Sequence, residues 1–387
     1  MKILRRSKIL KLAAAAAAAA VFTAAGFFLL TGKNQDRRPA ETISPQDSQE
    51  NKPAEVSELS SGWWESRQNI YYGIPARIVF HLPEGDRGSA EKIAENAWAE
   101  FARIGKIFDP SDQDSETSRL NSADKTKQVA VSDDMFEVLK LCRKLWEASD
   151  GAFDPTTTAL KKLWQDAADT QEIPSQREIK SVLSKTGFKH VGLVREQKAV
   201  VCDKKGIEFD FGGIAKGFAV EKTAGLLRDS GATDCLVQLG GEIAAFGANQ
   251  GGEPWRIGIQ HPTDMQDIWG RITTKSAVRV STSGNYRQPL KIQGHDFYHI
   301  FSPETGKPVS SRVLGVTTAD PDGSTSSALL DGAATAITVA GPEKGLDLAE
   351  KLGIEGLILT RQDGGEITET ATSGMSEYYE RKNGRDP

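Results

Sequence analysis

The stretch Asp210-Phe-Gly-Gly-Ile-Ala-Lys-Gly217 joins two segments of different periodicity. The preceding residues, 206–210, are short and rich in β-forming side chains. The following residues, Ile214 to Ser230, carry apolar side chains at helical spacing and end before Gly231. The patterns predict a strand, a glycine turn and a helix. Glycines let a ligand approach the backbone closely, and a helix N-terminus attracts anions such as phosphate. The turn is therefore a candidate phosphate site.

Two charged side chains flank this turn. Asp210 stands at the end of the predicted strand, where it can bind a polar group of a ligand. Lys216 stands in the first helical turn, where its ammonium can neutralise a phosphate. The glycine spacing matches neither G-x-G-x-x-G nor G-x-x-x-x-G-K-[ST], so these two nucleotide-binding motifs are excluded. A Gly-Gly turn before a helix also occurs where two elements merely pack tightly. The turn alone therefore does not establish a phosphate site, and the rest of the chain has to be considered.

Composition excludes several classes of protein. The chain has 387 residues, enough for one large or two ordinary domains. Its net charge of −5 gives no basic surface for nucleic acid, so no nucleic-acid partner is expected. The three cysteines, Cys142, Cys202 and Cys235, lie in apolar runs without metal-ligand spacing. We expect them to be buried core residues without a disulfide framework.

The first 32 residues have the pattern of a membrane segment. Basic residues up to Lys11 precede an uncharged run from Leu12 to Gly32, and a run of about 20 residues can cross a bilayer. The positive flank predicts that the start stays cytoplasmic and the remainder is exported. The alternative is a cleaved signal peptide, whose apolar region is normally about 7–15 residues long. We favour an uncleaved anchor. No cysteine follows the run, which excludes a bacterial lipoprotein.

The rest of the chain divides into three parts. Residues 33–62 are rich in Pro, Ser, Gln, Asp and Glu, which predicts a disordered linker. Residues 63–375 form a single catalytic domain, and 376–387 a polar tail. Within the domain, strands and helices mix without strict βαβ alternation, which predicts the α+β class.

The predicted elements of this domain are defined by periodicity and by capping residues. Asp109 to Asn121 is predicted to be a polar loop. The predicted helices are Ala90–Ile107, a helix capped by Ser132 that ends near Gly151, a helix opened by the capping box Ser175–Glu178, Ser326–Gly341, and one that begins at Pro342. The predicted strands are Ile78–Phe80, Ala199–Cys202, Ile207–Asp210, Cys235–Leu239, 255–259, Ala277–Ser281, and, as the last strand, Gly356–Thr360.

Three further places can carry chemistry. Asp331 and Thr335 are four residues apart on a predicted helix and share one face. With a backbone carbonyl they make an all-oxygen set that suits Mg²⁺, although a solvated Asp near a helix start is the simpler interpretation. His299 precedes a turn and is either structural or, beside a metal and a phosphate, a general base. The turn Gly151–Pro155 could clasp a flat ring with Phe153 and backbone groups, or simply end a helix.

The order of the motifs carries more information than any one of them. Seven motifs follow one another along the chain, and this series resembles the ApbE family, the FAD:protein FMN transferases, over about residues 70–370. The motifs are Asp114–Asn121, Gly151–Pro155, Asp210–Gly217, Leu239-Gly-Gly-Glu242, Ser281-Thr-Ser-Gly284, His299–Pro303 with Thr305-Gly306, and Asp331–Thr335.

The resemblance implies a reaction and a set of site residues. The family binds FAD with Mg²⁺, transfers the FMN half to a Thr or Ser hydroxyl of an acceptor protein, and releases AMP. His299 stands where the family has a histidine proposed to act on the acceptor hydroxyl. By position, the Mg²⁺ ligands would be the side chains of Asp331 and Thr335 and the carbonyls of Gly213 and Ala334. The FAD site would be lined by Tyr72, Ser111, Ala152, Phe153, Asp154, Asp210, Lys216 and Ile300.

The sequence departs from the family pattern at three positions. The family usually has Met at Tyr72, Asp at Ser302 and Ala at Gly332. The glycine is expected to weaken the helix that carries Asp331 by about 1 kcal/mol relative to alanine. None of the three removes a ligand implied by the resemblance.

The leading functional expectation is a flavin transferase tethered to the bacterial cytoplasmic membrane, with its catalytic domain on the outer, periplasmic face. Its acceptors would be exported or membrane redox proteins, such as flavin-carrying subunits of respiratory complexes. Two alternatives stay open. The first is a Mg²⁺-dependent FAD pyrophosphatase, in which water replaces the acceptor hydroxyl. The second is a non-catalytic flavin-binding or flavin-delivery protein.

Overall fold

A computed structural model describes residues 55–70, 73–274, 277–284, 290–309 and 312–382. The predicted membrane segment, residues 33–54 of the predicted linker and Tyr72 lie outside these ranges. Among the residues within them, the structure has no helix that is long and apolar enough to cross a membrane.

The strands of the described residues belong to four sheets. They are β1 (Val56–Ser60), β2 (Trp63–Ile70), β3 (Ile74–His81), β4 (Val129–Ala130), β5 (Val191–Val194), β6 (Ala199–Cys202), β7 (Asp234–Leu239), β8 (Glu242–Phe246), β9 (Arg256–Gln260), β10 (Ile268–Thr273), β11 (Ala277–Gly284), β12 (Leu290–Ile292), β13 (His295–Phe297), β14 (Val313–Asp320), β15 (Glu355–Arg361), β16 (Ile367–Ala371) and β17 (Tyr379–Arg381).

The helices of the same residues are mostly amphipathic. They are α1 (Arg87–Phe108), α2 (Glu116–Ser122), α3 (Asp133–Ala148), α4 (Thr158–Thr170), α5 (Gln176–Leu183), α6 (Ala215–Asp229), α7 (Ser327–Ala340) and α8 (Pro342–Leu352), with short 3₁₀ turns at Phe188–His190 and Ser373–Glu377.

The central element is an antiparallel sheet in the order β1-β2-β3-β7-β8-β11-β14-β15-β16. Successive side chains of a strand point to opposite faces. On β7, Val237 packs into the helical core, whereas Leu236 packs with Ile257 and Trp269 of the small sheet β17-β10-β9. The sheet is therefore buried on both faces, and helices α6 and α7 lie on one of them. The predicted α+β class is confirmed.

The segment before the glycine turn is not a strand, so the prediction for Ile207–Asp210 is wrong. Its backbone groups bond to side chains and loops instead of a neighbouring strand. The Asn121 amide accepts from Phe209 N–H at 2.7 Å and donates to the Phe209 carbonyl at 2.8 Å. Asp210 N–H donates to the Pro155 carbonyl at 2.8 Å. These bonds satisfy the buried backbone groups without a neighbouring strand. They also hold the segment before Asp210 in place.

Four other boundaries differ from the predictions. The linker was predicted to extend to residue 62, but β1 pairs with β2. The predicted tail contains β17, which pairs with β10, and β15 is followed by two more strands. The predicted loop before Asn121 contains α2, because Ser115 caps it by accepting the Ser118 N–H. These segments are polar in composition, but strand pairing or helix capping gives them regular structure.

The capping and cysteine predictions are confirmed. Ser132 accepts the Met135 N–H at the start of α3, and both hydrogen bonds of the Ser175–Glu178 capping box are present. The three cysteines are buried and free. Signals that act within one turn of a helix are readable from neighbouring residues alone.

Candidate active site

Helices α6 and α7 approach each other closely because of Gly217. A Cβ at this position would lie 2.1 Å from the Ser327 carbonyl oxygen, a distance that no side chain can occupy. The close approach lets Asp331 of α7 reach the first turn of α6, where its Oδ2 accepts the Gly217 N–H at 2.9 Å. The N-cap residue Ile214 supplies no side-chain cap, so a carboxylate from a neighbouring helix caps α6.

Gly217→Ala is expected to destabilise the protein by about 3 kcal/mol or more, because the new methyl meets backbone that cannot rotate away. Thermal or denaturant unfolding measures this loss. The matched control is Gly225→Ala on the same helix. A Cβ at Gly225 meets nothing within 4 Å, so it should stabilise the helix by up to about 1 kcal/mol. Equal stability of the two variants would contradict the proposed packing.

A buried ion cluster forms where these helices meet β8. The Lys216 ammonium lies 3.1 and 3.3 Å from the two Asp331 oxygens and 3.3 Å from Glu242 Oε1. It also donates to the Gly212 carbonyl at 3.2 Å. The side chains of Asp331 and Glu242 are 1% and 2% exposed. Two buried carboxylates therefore share one ammonium.

The cluster keeps Lys216 charged. Burial opposes the charge, but the Coulomb attraction of Asp331 and Glu242 outweighs it and raises the Lys216 pKa. Burial also raises the pKa of Glu242, against the attraction of Lys216. A positive charge is thus held at the N-terminus of α6, where an anionic ligand is already favoured.

The implied Mg²⁺ ligands are brought together in part. Thr335 Oγ1 lies 3.4 Å from the Asp331 carbonyl, and a Cβ on Gly213 would lie 3.1 Å from that hydroxyl. Asp331, Thr335 and the Gly213 backbone thus adjoin one another, and their hard oxygens fit Mg²⁺. The Ala334 carbonyl accepts a hydrogen bond from Thr338 Oγ1 at 2.8 Å, which leaves the second of its two lone pairs.

Asp210 is held by a partner that the sequence did not reveal. Lys161 of α4 lies 2.8 Å from Asp210 Oδ2, and Oδ1 accepts the Gly212 N–H at 2.8 Å. Burial opposes the Asp210 charge, but Lys161 and this N–H lower its pKa overall. Lys161 precedes another lysine on an amphipathic helix, a pattern typical of a solvated face, so no sequence signal marked it.

His299 lies on the connection between β13 and the turn that follows it. Phe297 and Phe301 on either side of it pack against Trp164 of α4, with ring centroids 5.2 and 6.4 Å away. His299 is accessible to solvent, but protein atoms surround its ring. Desolvation is therefore the main cause that lowers its pKa to about 4, and the charges of Lys161 and Lys216 add to it. The ring is therefore neutral at neutral pH.

The turn at residues 151–155 is built for packing. Asp154 Oδ1 accepts from the N–H and hydroxyl of Thr156, and Oδ2 accepts from Phe188 N–H at 2.9 Å. Burial raises the pKa of this carboxyl despite these bonds. Both Asp154 oxygens thus accept hydrogen bonds within the protein, and the residue is buried.

Phe153 is a core residue, 4% exposed, so its ring is not available to clasp a ligand. It packs beside Gly332, where a Cβ would lie 3.3 Å from the Phe153 ring and 2.3 Å from Leu145 Cδ1. Gly332 therefore has a packing role that the sequence did not indicate, because it leaves room for these two side chains.

The remaining predicted residues make their hydrogen bonds outside the ion cluster in the part of the chain that the structure describes. Ser111 is exposed and donates to Asp109 Oδ1 at 2.7 Å. Ala152 is half-buried, and Ile300 is buried with its carbonyl accepting the Val309 N–H at 2.9 Å. Ser302 Oγ accepts the Thr305 N–H at 3.2 Å and so stabilises the turn after His299.

Comparison with known proteins gives a consistent result. The chain matches the ApbE family over residues 72–358. It is 32% identical over 271 residues to the FAD:protein FMN transferase of Vibrio cholerae serotype O1, with 70% of this chain and 79% of that protein covered. It is 26% identical over 285 residues to the FAD:protein FMN transferase of Escherichia coli K12, with 73% and 80% covered.

Solved structures show the same similarity. The flavin transferase ApbE from Vibrio cholerae superposes with a TM-score of 0.71 at 28% identity, covering 82% of this chain and 99% of that one. The apbe protein from Thermotoga maritima gives the same TM-score, identity and coverage. Motif order, the ion cluster at the start of α6 and these comparisons agree, and the chain belongs to the ApbE family.

Proposed function

We propose that this protein is an FAD:protein FMN transferase, which moves the FMN half of FAD to a Thr or Ser hydroxyl of an acceptor protein and releases AMP. The observation that carries the proposal is the buried cluster of Lys216, Asp331 and Glu242 at the N-terminus of α6. It places one ammonium and two carboxylates beside a glycine turn. This arrangement suits a pyrophosphate substrate, and family membership supplies the reaction.

The chain's own groups neutralise the phosphates. The Lys216 ammonium and the partial positive charge of the α6 N-terminus face the negative oxygens as the bond between the two phosphates breaks. Asp331, Thr335 and the carbonyls of Gly213 and Ala334 would hold Mg²⁺, which polarises the phosphate oxygens when it is bound. The ammonium and the two carboxylates lie together in one cluster before the substrate arrives.

His299 is the proposed general base. The acceptor hydroxyl oxygen forms a bond to the phosphorus of the FMN half, the bond from that phosphorus to the AMP oxygen breaks, and a ring nitrogen of His299 takes the hydroxyl proton. The low His299 pKa keeps the ring unprotonated before binding. A negatively charged pyrophosphate offsets the nearby lysines and thus makes the ring a better base.

The direct test combines the full-length protein with FAD, Mg²⁺ and a candidate acceptor domain. A fluorescent acceptor band on a denaturing gel, together with AMP, and the loss of both with EDTA, is the expected result. AMP without a fluorescent acceptor, over several acceptors, would indicate an FAD pyrophosphatase. Bound flavin with neither product would indicate a non-catalytic flavin protein.

We also propose that the catalytic domain works at the outer face of the bacterial cytoplasmic membrane, on exported redox proteins such as respiratory subunits. The support is the apolar run from Leu12 to Gly32 behind basic residues. Protease added to spheroplasts should digest the catalytic domain. Protection until the membrane is lysed would contradict this location.

Lys161→Gln is expected to raise the His299 pKa above its value of about 4, because removing a nearby positive charge makes protonation easier. Protonation would then inactivate the base at a higher pH, so the acid limb of the pH–rate profile should move upward. Titration of the His299 ring by NMR measures the shift directly. The matched control is Lys162→Gln, because Lys162 pairs with Glu208 instead. An unchanged His299 pKa in Lys161→Gln would contradict the assignment.

A further inference from the structure

Glu242 is a buried carboxylate with fewer hydrogen-bond partners than its two oxygens require. It opens β8 directly after the Gly240-Gly241 turn and lies opposite Ser281 of β11. Its Oε1 is 3.3 Å from the Lys216 ammonium and 3.4 Å from Ser281 Oγ. Its Oε2 is buried and has no hydrogen-bond partner among the described residues. A buried oxygen without a donor is costly, so it calls for an explanation.

The charges of the cluster suggest an explanation for the unpaired Glu242 oxygen. Asp331 Oδ2 accepts the Gly217 N–H, and both Asp331 oxygens also contact the Lys216 ammonium. A cation bound at Asp331 would repel that ammonium at close range. Lys216 then needs another anion nearby. Glu242 is already within 3.3 Å of it, and the second Glu242 oxygen has no donor among the described residues.

We propose that Glu242 is a positioning residue that takes the Lys216 ammonium when Asp331 binds Mg²⁺. The carboxylate keeps the lysine beside the phosphates and stops it from competing with the cation for Asp331. Without Glu242, the ammonium would remain on Asp331 and oppose cation binding. The inference rests on the proposed function, because it concerns the same site and the same cation.

The charge balance supports this role. Asp331 and Lys216 alone would form a neutral pair with little attraction for a cation. Glu242 places a second carboxylate beside the same ammonium. With the ammonium held by Glu242, Asp331 is free to take a cation, and the site still retains one positive charge for the substrate.

The test measures cation affinity, which does not depend on turnover. Binding of Mn²⁺, used in place of Mg²⁺ because EPR detects it, is titrated on the full-length protein with FAD and without acceptor. Glu242→Gln is expected to weaken binding by about 10-fold or more, as removal of a partner beside a metal site commonly does. Glu242→Asp keeps the charge and should retain most of the affinity. Glu253→Gln, at an exposed position, should have no effect.

A second background separates positioning from a simple charge effect. In Lys216→Met there is no ammonium to hold, so Glu242→Gln should change Mn²⁺ affinity much less than it does in the native background. If Glu242→Gln weakens Mn²⁺ binding by the same factor in both backgrounds, the positioning role is wrong. It is also wrong if Glu242→Gln alone leaves the Mn²⁺ affinity unchanged. Thermal unfolding and FAD affinity without the cation check that each variant is folded.

The outcomes also separate this inference from the proposed function. If the native protein binds no Mn²⁺ with FAD present, the proposed metal site is wrong and the role of Glu242 with it. If the native protein binds Mn²⁺ and Glu242→Gln binds it equally well, only the role of Glu242 is wrong.

Discussion

Replacing Asp331 by asparagine is expected to reduce FMN transfer by about 10³-fold or more, with the fold intact. The variant keeps the side-chain volume, and its amide oxygen can still accept the Gly217 N–H that Asp331 accepts now. What it loses is the negative charge, which holds Lys216 and would hold Mg²⁺. Removing one preorganised electrostatic group typically costs about 10²–10³ in rate, and loss of the metal adds to it.

Single-turnover transfer to a saturating acceptor measures this loss, and thermal unfolding checks the fold. Asp347→Asn is the matched control, because Asp347 is exposed on α8 and should leave the rate unchanged. If Asp331→Asn transfers FMN at the native rate, Asp331 neither binds the metal nor organises the cluster. Added Mg²⁺ should not restore the native rate, because excess cation raises the occupancy of the site but does not replace the negative charge that also holds Lys216.

His299→Ala is expected to reduce transfer by about 10²–10⁴-fold, the usual contribution of a positioned general base, while FAD affinity stays close to native. The ring is exposed, so its removal leaves no cavity in the core. The flanking Phe297 and Phe301 keep their packing on Trp164 and thus preserve the turn. Transfer rates in single turnover and FAD dissociation constants from flavin fluorescence give the two quantities.

His295→Ala is the control for this experiment, because His295 is an exposed histidine on the neighbouring strand β13. It should affect neither quantity. If His299→Ala weakens FAD binding by the same factor as it slows transfer, His299 binds substrate and is not the base. Imidazole added to the assay should partly restore transfer if the ring's only role is to take a proton.

Local signals in the sequence were reliable where neighbouring residues decide the structure. Helix starts at Ser132 and Ser175 follow from caps that act within one turn. The strand Ala199–Cys202 was predicted with its observed bounds. The strand prediction for Ile207–Asp210 failed for a physical reason. The backbone N–H and carbonyl of Phe209 are paired with the side-chain amide of Asn121, which is far away in the chain, and not with a partner strand.

By itself, the sequence determined the α+β class, the order of the motifs, the helix caps and the chemical types of the candidate residues. Only the tertiary structure decided which of these side chains meet. It pairs Lys161 with Asp210 and gathers Lys216, Glu242 and Asp331 into one cluster, and it turns Phe153 into the core. Periodicity and capping depend on residues close in the chain, whereas an ion pair between two elements depends on how closely they pack, which here is set by Gly217 between α6 and α7.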